Sequence, residues 1–302
     1  MMTISWPISL GSAMLLQVDD MHMVRCVSIV LGVIVLVLSS TIMILRWSNS
    51  RTKREYERLT DGMPLHQTKE GIFTDEEAAS LPLPVRSYLS YCGYIGKPKM
   101  AAMKISYRNV KFQFSLTGEP LKIDYFQHNL ATEPQRIAYI KSFKFGIPFE
   151  GLDSYSDGHA AMKGVFARFA TVFEQAGEPL DQAALATWLA ECLLVPSAAF
   201  SPFITWVDLD ASHAGAMIDY HGMRASGVFE FDGSGALRSF TTDDRPFVTD
   251  DGQVRNLQWS MQCDGYVLHD GIRKPTAFRA IWHHQDHDFV YFTSNHGLVE
   301  FL

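Results

Sequence analysis

The densest group of chemistry-bearing side chains is His283-His284-Gln285-Asp286-His287. Imidazole and carboxylate are ligands for zinc and non-haem iron, so three histidines within five residues invite a metal centre. A metal site also needs its ligands fixed on ordered backbone. This run falls between two strand patterns, at what reads as a hairpin tip, where only His283 and His287 would share a strand face. A solvated polar tip accounts for it, and His283 and His287 remain the metal candidates. Glu191 is the second group. It borders an apolar helical stripe, and a carboxylate taken out of water can serve as general acid or base. Buried carboxylates more often serve structure, bonded to an arginine or to backbone at a helix end, and Arg86 is a candidate partner.

Other acidic clusters carry less. Asp243-Asp244-Arg245 could hold a cation or line a cleft, but consecutive side chains at a strand end point different ways, so a solvated turn is expected. Asp153, Asp157 and His159 lack the spacing of a calcium loop. There is no GxSxG elbow, phosphate-cradling glycine loop, HExxH pair or dinucleotide fingerprint, and no cofactor is expected.

The elements that must position these residues follow from hydrophobic periodicity. Thr74 can cap a helix, with Glu77 at the capping-box spacing reaching back to it. Leu81-Pro82-Leu83-Pro84 opens a second helix, in which Val85, Tyr88, Leu89 and Cys92 form one apolar stripe before Gly93. From Lys99 to Leu116 the period becomes two, with a phase slip near Asn109 that implies a bulge. Further strands are expected at Leu121–His128, Arg136–Phe143, Ser154–Met162, Phe203–Leu209, Ala216–Tyr220 and Met223–Phe231. Leu237–Thr242, Val254–Gln262, Thr276–His283, Phe289–Ser294 and Leu298–Phe301 follow. Asp232-Gly233-Ser234-Gly235 marks a hairpin. One helix interrupts the strands: Asp181 can cap it, Leu185, Trp188, Leu189 and Cys192 line one face, and Pro196 ends it. Short strands joined by short turns give an antiparallel meander. Several are apolar on both faces, as Phe289 and Tyr291 against Val290 and Phe292, so the sheet must wrap around something. The expectation is an α+β fold: a curved, half-barrel-like antiparallel sheet around one or two helices.

The 302 residues are 47% hydrophobic and 20% charged, with a net charge of −7. That mild acidity argues against a nucleic-acid surface. Four cysteines without a CxxC pair suggest neither a zinc scaffold nor a disulfide framework. From Cys26 to Leu45 no residue is charged, a length that spans a bilayer core and exceeds a signal-peptide core. The expected organisation is therefore an amino-terminal tail (1–25), a transmembrane helix (26–45), a basic juxtamembrane segment and linker (46–71), and a β-rich soluble domain (72–302). Arg25 stands before the span, with Asp19 and Asp20; Arg46, Arg51, Lys53, Arg54 and Arg58 follow it and suit lipid headgroups. The positive-inside rule then places the large domain in the cytoplasm.

The sequence resembles an uncharacterised bacterial domain family found behind amino-terminal membrane helices. The resemblance is carried by Leu81-Pro82-Leu83-Pro84-Val85-Arg86-Ser87-Tyr88-Leu89, Gly96-Lys97-Pro98, Leu189-Ala190-Glu191-Cys192 and Val195-Pro196-Ser197-Ala198. The Ala225–Asp232 stretch and the close from Phe289 to Phe301 add to it, over residues 72 to 302. At Thr187-Trp188-Leu189 the family tends to have Arg-Tyr-Leu, so a polar contact is lost here. The family's shape looks similar to the half-barrels of LolA-type lipoprotein carriers, which hold acyl chains between sheet and helices. Such carriers work outside the inner membrane, which makes an extracytoplasmic domain the alternative. Fold alone does not fix function.

Three functions are thus open. The first is a membrane-tethered domain binding a hydrophobic or lipid-like ligand, with Arg86, Tyr88, Trp188, Glu191, Trp206, Trp259 and Trp282 as candidate contacts. The second is an enzyme using Glu191 or the His283–His287 run. The third is an interaction module, which requires an exposed apolar patch or a free sheet edge.

Overall fold

The computed structural model describes residues 10–47, 50–64, 71–113, 118–249 and 253–302. Two compact units divide the chain, Met1–Ser48 and Asn49–Leu302. The first is built on helix α1 (Leu10–Trp47), within which Met23–Met43 is long and apolar enough to cross a membrane. The hydroxyls of Ser28 and Thr41 donate to the carbonyls of Val24 and Val37, each 2.8 Å away, so these polar groups are satisfied inside their own helix.

The second unit begins with α2 (Arg51–Asp61), α3 (Asp75–Ala78) and α4 (Leu83–Cys92). Thr74 caps α3, accepting from the Glu77 N–H at 3.2 Å, but the Glu77 carboxylate turns to Lys99 at 2.5 Å and not back to the cap. Gly93 ends α4 in the left-handed conformation at φ 81°, with its N–H returning to Ser90 and Leu89 carbonyls.

Then come β1 (Ala102–Phe112), β2 (Leu121–Leu130), β3 (Arg136–Lys144), β4 (Ile147–Ser156), β5 (His159–Phe166) and β6 (Ala170–Ala176). Helix α5 (Glu178–Glu191) and two short 3-10 turns, Cys192–Leu194 and Pro196–Phe200, separate these from the rest. After them run β7 (Ile204–Asp208), β8 (His213–Tyr220), β9 (Met223–Phe231), β10 (Leu237–Thr242), β11 (Phe247–Val248) and β12 (Val254–Arg255). The last strands are β13 (Gln258–Asp264), β14 (Val267–His269), β15 (Ile272–Lys274), β16 (Ala277–His283), β17 (Asp288–Ser294) and β18 (Gly297–Phe301).

Fourteen of these strands form one antiparallel sheet in the order β6-β5-β4-β3-β2-β1-β17-β16-β13-β10-β9-β8-β7, with β18 also paired to β1. The β1 ladder shifts between Tyr107 and Val110, and Asn109 adopts φ 53°, so the phase slip in the sequence is a bulge. Similar shifts in β5–β6, β9–β10 and β16–β17 add twist and let the sheet curl. The two arms of the curl both reach α5, which contacts β4, β5 and β6 on one side and β8, β9 and β10 on the other. Every residue of α5 from Ala183 to Glu191 is buried, as a helix enclosed on all sides requires. The curved sheet around a helix is the architecture anticipated.

Several local expectations need correction. The strand read at Ser154–Met162 is two strands around an Asp157-Gly158 turn, where both residues take positive φ (53° and 81°). Val254–Gln262 is likewise divided into β12 and β13. Asp181 does not cap α5, which starts at Glu178. Its carboxylate instead accepts from the Ala160 N–H of β5 at 2.5 Å. The juxtamembrane segment, which reads as a helix fraying into a linker, does form a helix, α2, but α2 packs on the sheet. Tyr56 and Met63 bury against Ala102, Leu130, Ile137, Tyr139 and Leu152, on the face opposite α5. Ser50, the N-cap of α2, donates to the fully buried carboxylate of Glu150, which also pairs with Arg168 at 3.1 Å. Lys163 of β5 meets Glu55 at 2.7 Å.

Candidate functional site

Between α5 and the middle of the sheet lies a cavity of about 190 Å³. Strand alternation builds its deep wall. Tyr125 and Gln127 of β2 share the face that looks toward α5, and Arg136 of β3 adjoins them. Tyr107, Phe112, Trp259, Phe278, Tyr291 and Phe292 supply aromatic walls from β1, β13, β16 and β17. Helix α5 closes the other side with Ala183, Ala184, Thr187 and Glu191.

The floor is a charge network. Glu191 Oε2 accepts from Gln127 Nε2 at 2.6 Å and from Asn129 Nδ2 at 2.8 Å. Gln127 Nε2 also donates to Asn129 Oδ1 at 2.7 Å. The Nε of Arg136 stands 3.4 Å from Glu191 Oε2, an ion pair whose geometry is not that of a hydrogen bond. Its Nη1 donates to Asp153 Oδ2 at 2.7 Å and its Nη2 to the Tyr125 hydroxyl at 2.5 Å. Burial works against the Arg136 charge, yet Asp153, Tyr125 and Glu191 together hold its pKa well above the ordinary value. Burial raises the Tyr125 and Tyr107 phenols, so both stay neutral hydrogen-bonding groups.

Two further cations line the cavity, Arg245 and the exposed Arg279. Arg245 is held in place: its Nε donates to Thr187 Oγ1 at 3.0 Å, and its guanidinium carbon lies 4.8 Å from the Trp259 ring and 4.9 Å from Trp282. Trp259 is itself fixed by donating from Nε1 to the Tyr291 hydroxyl at 3.0 Å. Neither Arg245 nor Arg279 makes an ion pair among the described residues. Guanidinium forks free of carboxylate partners can receive a carboxylate or phosphate oxygen pair.

Of the residues singled out from sequence, Glu191, Trp259, Asp153 and Arg245 line this cavity, and Trp282 supports Arg245. The others lie elsewhere. The Tyr88 hydroxyl donates to Leu193 O at 3.0 Å in the core, and Trp188 Nε1 donates to Leu130 O at 3.1 Å. Trp206 Nε1 donates to Ala199 O at 2.8 Å, and Arg86 sits half-buried on α4. Arg136 of β3, and not Arg86, is the partner of Glu191.

None of residues 283–287 borders the cavity. They do form the β16–β17 hairpin tip, but His283 and His287 are not brought together. His283 bonds Ser260 Oγ at 2.8 Å and Asp288 Oδ1 at 2.7 Å, while His284 stacks on His287 with ring centroids 4.9 Å apart. Among the described residues, no three His, Cys, Asp or Glu side chains are grouped to hold a metal ion.

Gln127, Asn129 and Arg136 are not candidates from sequence alone, and Arg245, expected in a solvated turn with Asp243 and Asp244, instead lines the cavity. For Gln127 and Asn129 a signal existed: they occupy inward positions of β2, where alternation calls for apolar side chains.

The family of unknown function DUF6544 matches residues 71–294, and the chain belongs to that family. No curated protein matches the sequence. Among solved structures, a lipoprotein-sorting protein domain from Vibrio parahaemolyticus is 10% identical, with 67% of this chain and 84% of that chain covered and a TM-score of 0.35. A LolA superfamily protein from Nitrosomonas europaea is 8% identical over 72% of this chain and 93% of that one, with a TM-score of 0.32. A DUF1329 family protein from Desulfovibrio piger gives 8%, 73%, 93% and 0.32 for the same measures. Likenesses this distant carry no argument about function.

Proposed function

We propose that this chain is a membrane-anchored binding domain that takes a small amphiphile with an anionic end into the cavity beneath α5. The observation that carries this reading is the pairing of aromatic walls with Arg245 and Arg279, two cations lining the same cavity without a carboxylate partner among the described residues. The aromatic walls suit a short apolar body and the guanidinium groups an anionic head. At about 190 Å³ the cavity lies below the roughly 300–1,000 Å³ of drug-sized ligand sites. That size favours a small ligand, or one end of a larger one, over a whole acyl chain.

An acid–base role for Glu191 has less support, because its Oε2 already accepts two amide donors and faces Arg136. In the proposed reading α1 spans the bilayer, and the basic residues after the span hold the domain on the cytoplasmic side.

The test is thermal unfolding of the detergent-solubilised full chain with octanoate, octanol or octylamine. Octanoate at about ten times its Kd should stabilise by about 1.4 kcal/mol. Octanol and octylamine should act weakly, and Arg245→Ala should abolish the octanoate effect. Equal shifts with all three, or none with octanoate, would sink the proposal.

A further inference from the structure

The two most exposed large apolar side chains of the described residues are Phe145, 89% exposed, and Phe169, 77% exposed. Both exceed the large apolar side chains described between Met23 and Met43 of α1, and they belong to neighbouring turns. Phe145 lies in the β3–β4 turn and Phe169 in the β5–β6 turn, which the β3-β4-β5-β6 order places at one end of the sheet. Val172, 56% exposed, follows on edge strand β6. Phe145 also takes φ 53°, a left-handed conformation disfavoured for a bulky side chain. With Gly146 at φ 79° it makes a two-residue hairpin turn, so the turn geometry accounts for the backbone and only the exposure of the ring is left without a partner.

The way α2 lies on the sheet shows which end this is. Its N-cap Ser50 bonds Glu150, three positions from the Lys144–Ile147 pair that closes the β3–β4 turn. Six residues further on, the Tyr56 hydroxyl meets His128 Nδ1 at 2.9 Å, and His128 pairs with Ile137 toward the far end of the same strands. The polypeptide therefore reaches α2 from the end that carries Phe145 and Phe169. From Trp47 to Ser50 is three residue steps, at most about 11 Å of chain. Trp47 in turn stands four helical residues past Met43, about 6 Å along the axis, which is the depth of a headgroup layer. Exposed cations accompany the aromatics: Lys144 in the same turn and Arg51 beside Ser50.

We infer that the Phe145 and Phe169 turns enter the interfacial layer of the bilayer that holds α1, so that the domain sits against the membrane at three points. The occupant of this apolar end is lipid, with Lys144 and Arg51 meeting anionic headgroups. The inference rests on the reading of α1 as a span and is independent of the cavity.

The test uses the full chain in phosphatidylcholine–phosphatidylglycerol vesicles, with a polarity-sensitive nitrobenzoxadiazole label on a single introduced cysteine. Cys26→Ser removes the exposed native thiol, since Cys92, Cys192 and Cys263 are buried. Labels at Phe145→Cys and Phe169→Cys should emit to the blue and be quenched by doxyl lipid. A label at Asp157→Cys, in the β4–β5 turn at the opposite end, should do neither. Water-like emission at all three positions in protein that resists alkaline carbonate overturns this inference and leaves the span intact, pointing to a protein partner instead. Release of the protein by carbonate overturns the span and the inference together.

Discussion

Arg136 of β3 and Glu191 in the last turn of α5 face each other with Nε 3.4 Å from Oε2, so the enclosed helix is tied to the sheet by charge as well as by packing. Both side chains are almost wholly buried, at 8% and 12% exposed, and a second carboxylate, Asp153, shares the guanidinium. Arg136→Met would leave two carboxylates desolvated without their counter-charge. The expected loss is about 3–5 kcal/mol in urea unfolding. In a Glu191→Gln, Asp153→Asn background the same substitution should cost far less. An equal cost in both backgrounds would assign the effect to packing alone.

The outer helix can be weighed in the same way. Tyr56 of α2 is buried, with its ring 5.6 Å from Tyr139 and 5.8 Å from His128. Tyr56→Ala should destabilise the chain by about 2–4 kcal/mol through lost burial and an unfilled space. Chemical denaturation that shows a change below about 0.5 kcal/mol, the scale of ordinary surface substitutions, would mean that α2 does not dock as described.

His128 accounts for an acid-sensitive part of stability. Burial first, and then the Lys104 charge, lowers its pKa to about 4, against a smaller opposing effect of Glu300. Its Nδ1 is 2.9 Å from the Tyr56 hydroxyl. Because the folded state resists protonation, the unfolded chain binds more protons below its own pKa of about 6.5. This contribution is therefore complete above pH 6.5, falls as the pH drops toward about 4, and changes no further below that. His128→Gln should flatten the slope of stability against pH in that window. A slope unchanged by the substitution would place the acid sensitivity elsewhere.

The charge distribution around the apolar helix makes sidedness testable. Arg46, Arg51, Lys53, Arg54 and Arg58 after the span outweigh Arg25 before it, so a carboxyl-terminal fluorescent-protein fusion should glow and an alkaline-phosphatase fusion should be silent in a bacterial host. The opposite pair of results would place the domain across the membrane.

The sheet was largely legible because most strands alternate and most turns carry glycine. Where it was not, the reasons are local. Asp157-Gly158 is a good two-residue hairpin turn, but Tyr155 and Ala160 on either side made one apolar run of it. Strand β6 is exposed along most of its length, so nothing in its pattern marked it. Asp181 has the residue type of a cap, and only the arrival of β5 claims its carboxylate. The cavity was legible in part. Glu191 showed itself at the edge of a helical stripe, and Trp259 by its size. Arg245 read as part of a turn, because local sequence does not reveal that Trp259 and Trp282 converge on it from separate strands.

The bond between Ser50 and Glu150 separates two boundaries that are easily taken as one. What the family shares runs from 71 to 294, whereas the compact unit runs from Asn49 to Leu302. A shorter piece cut to the shared stretch would strip the cover from Ile137, Tyr139 and Leu152, deprive Glu150 of its serine, and remove β18 from β1. The inherited block is thus not self-sufficient in this chain. Its outer surface is finished by residues that begin a few positions past the apolar helix.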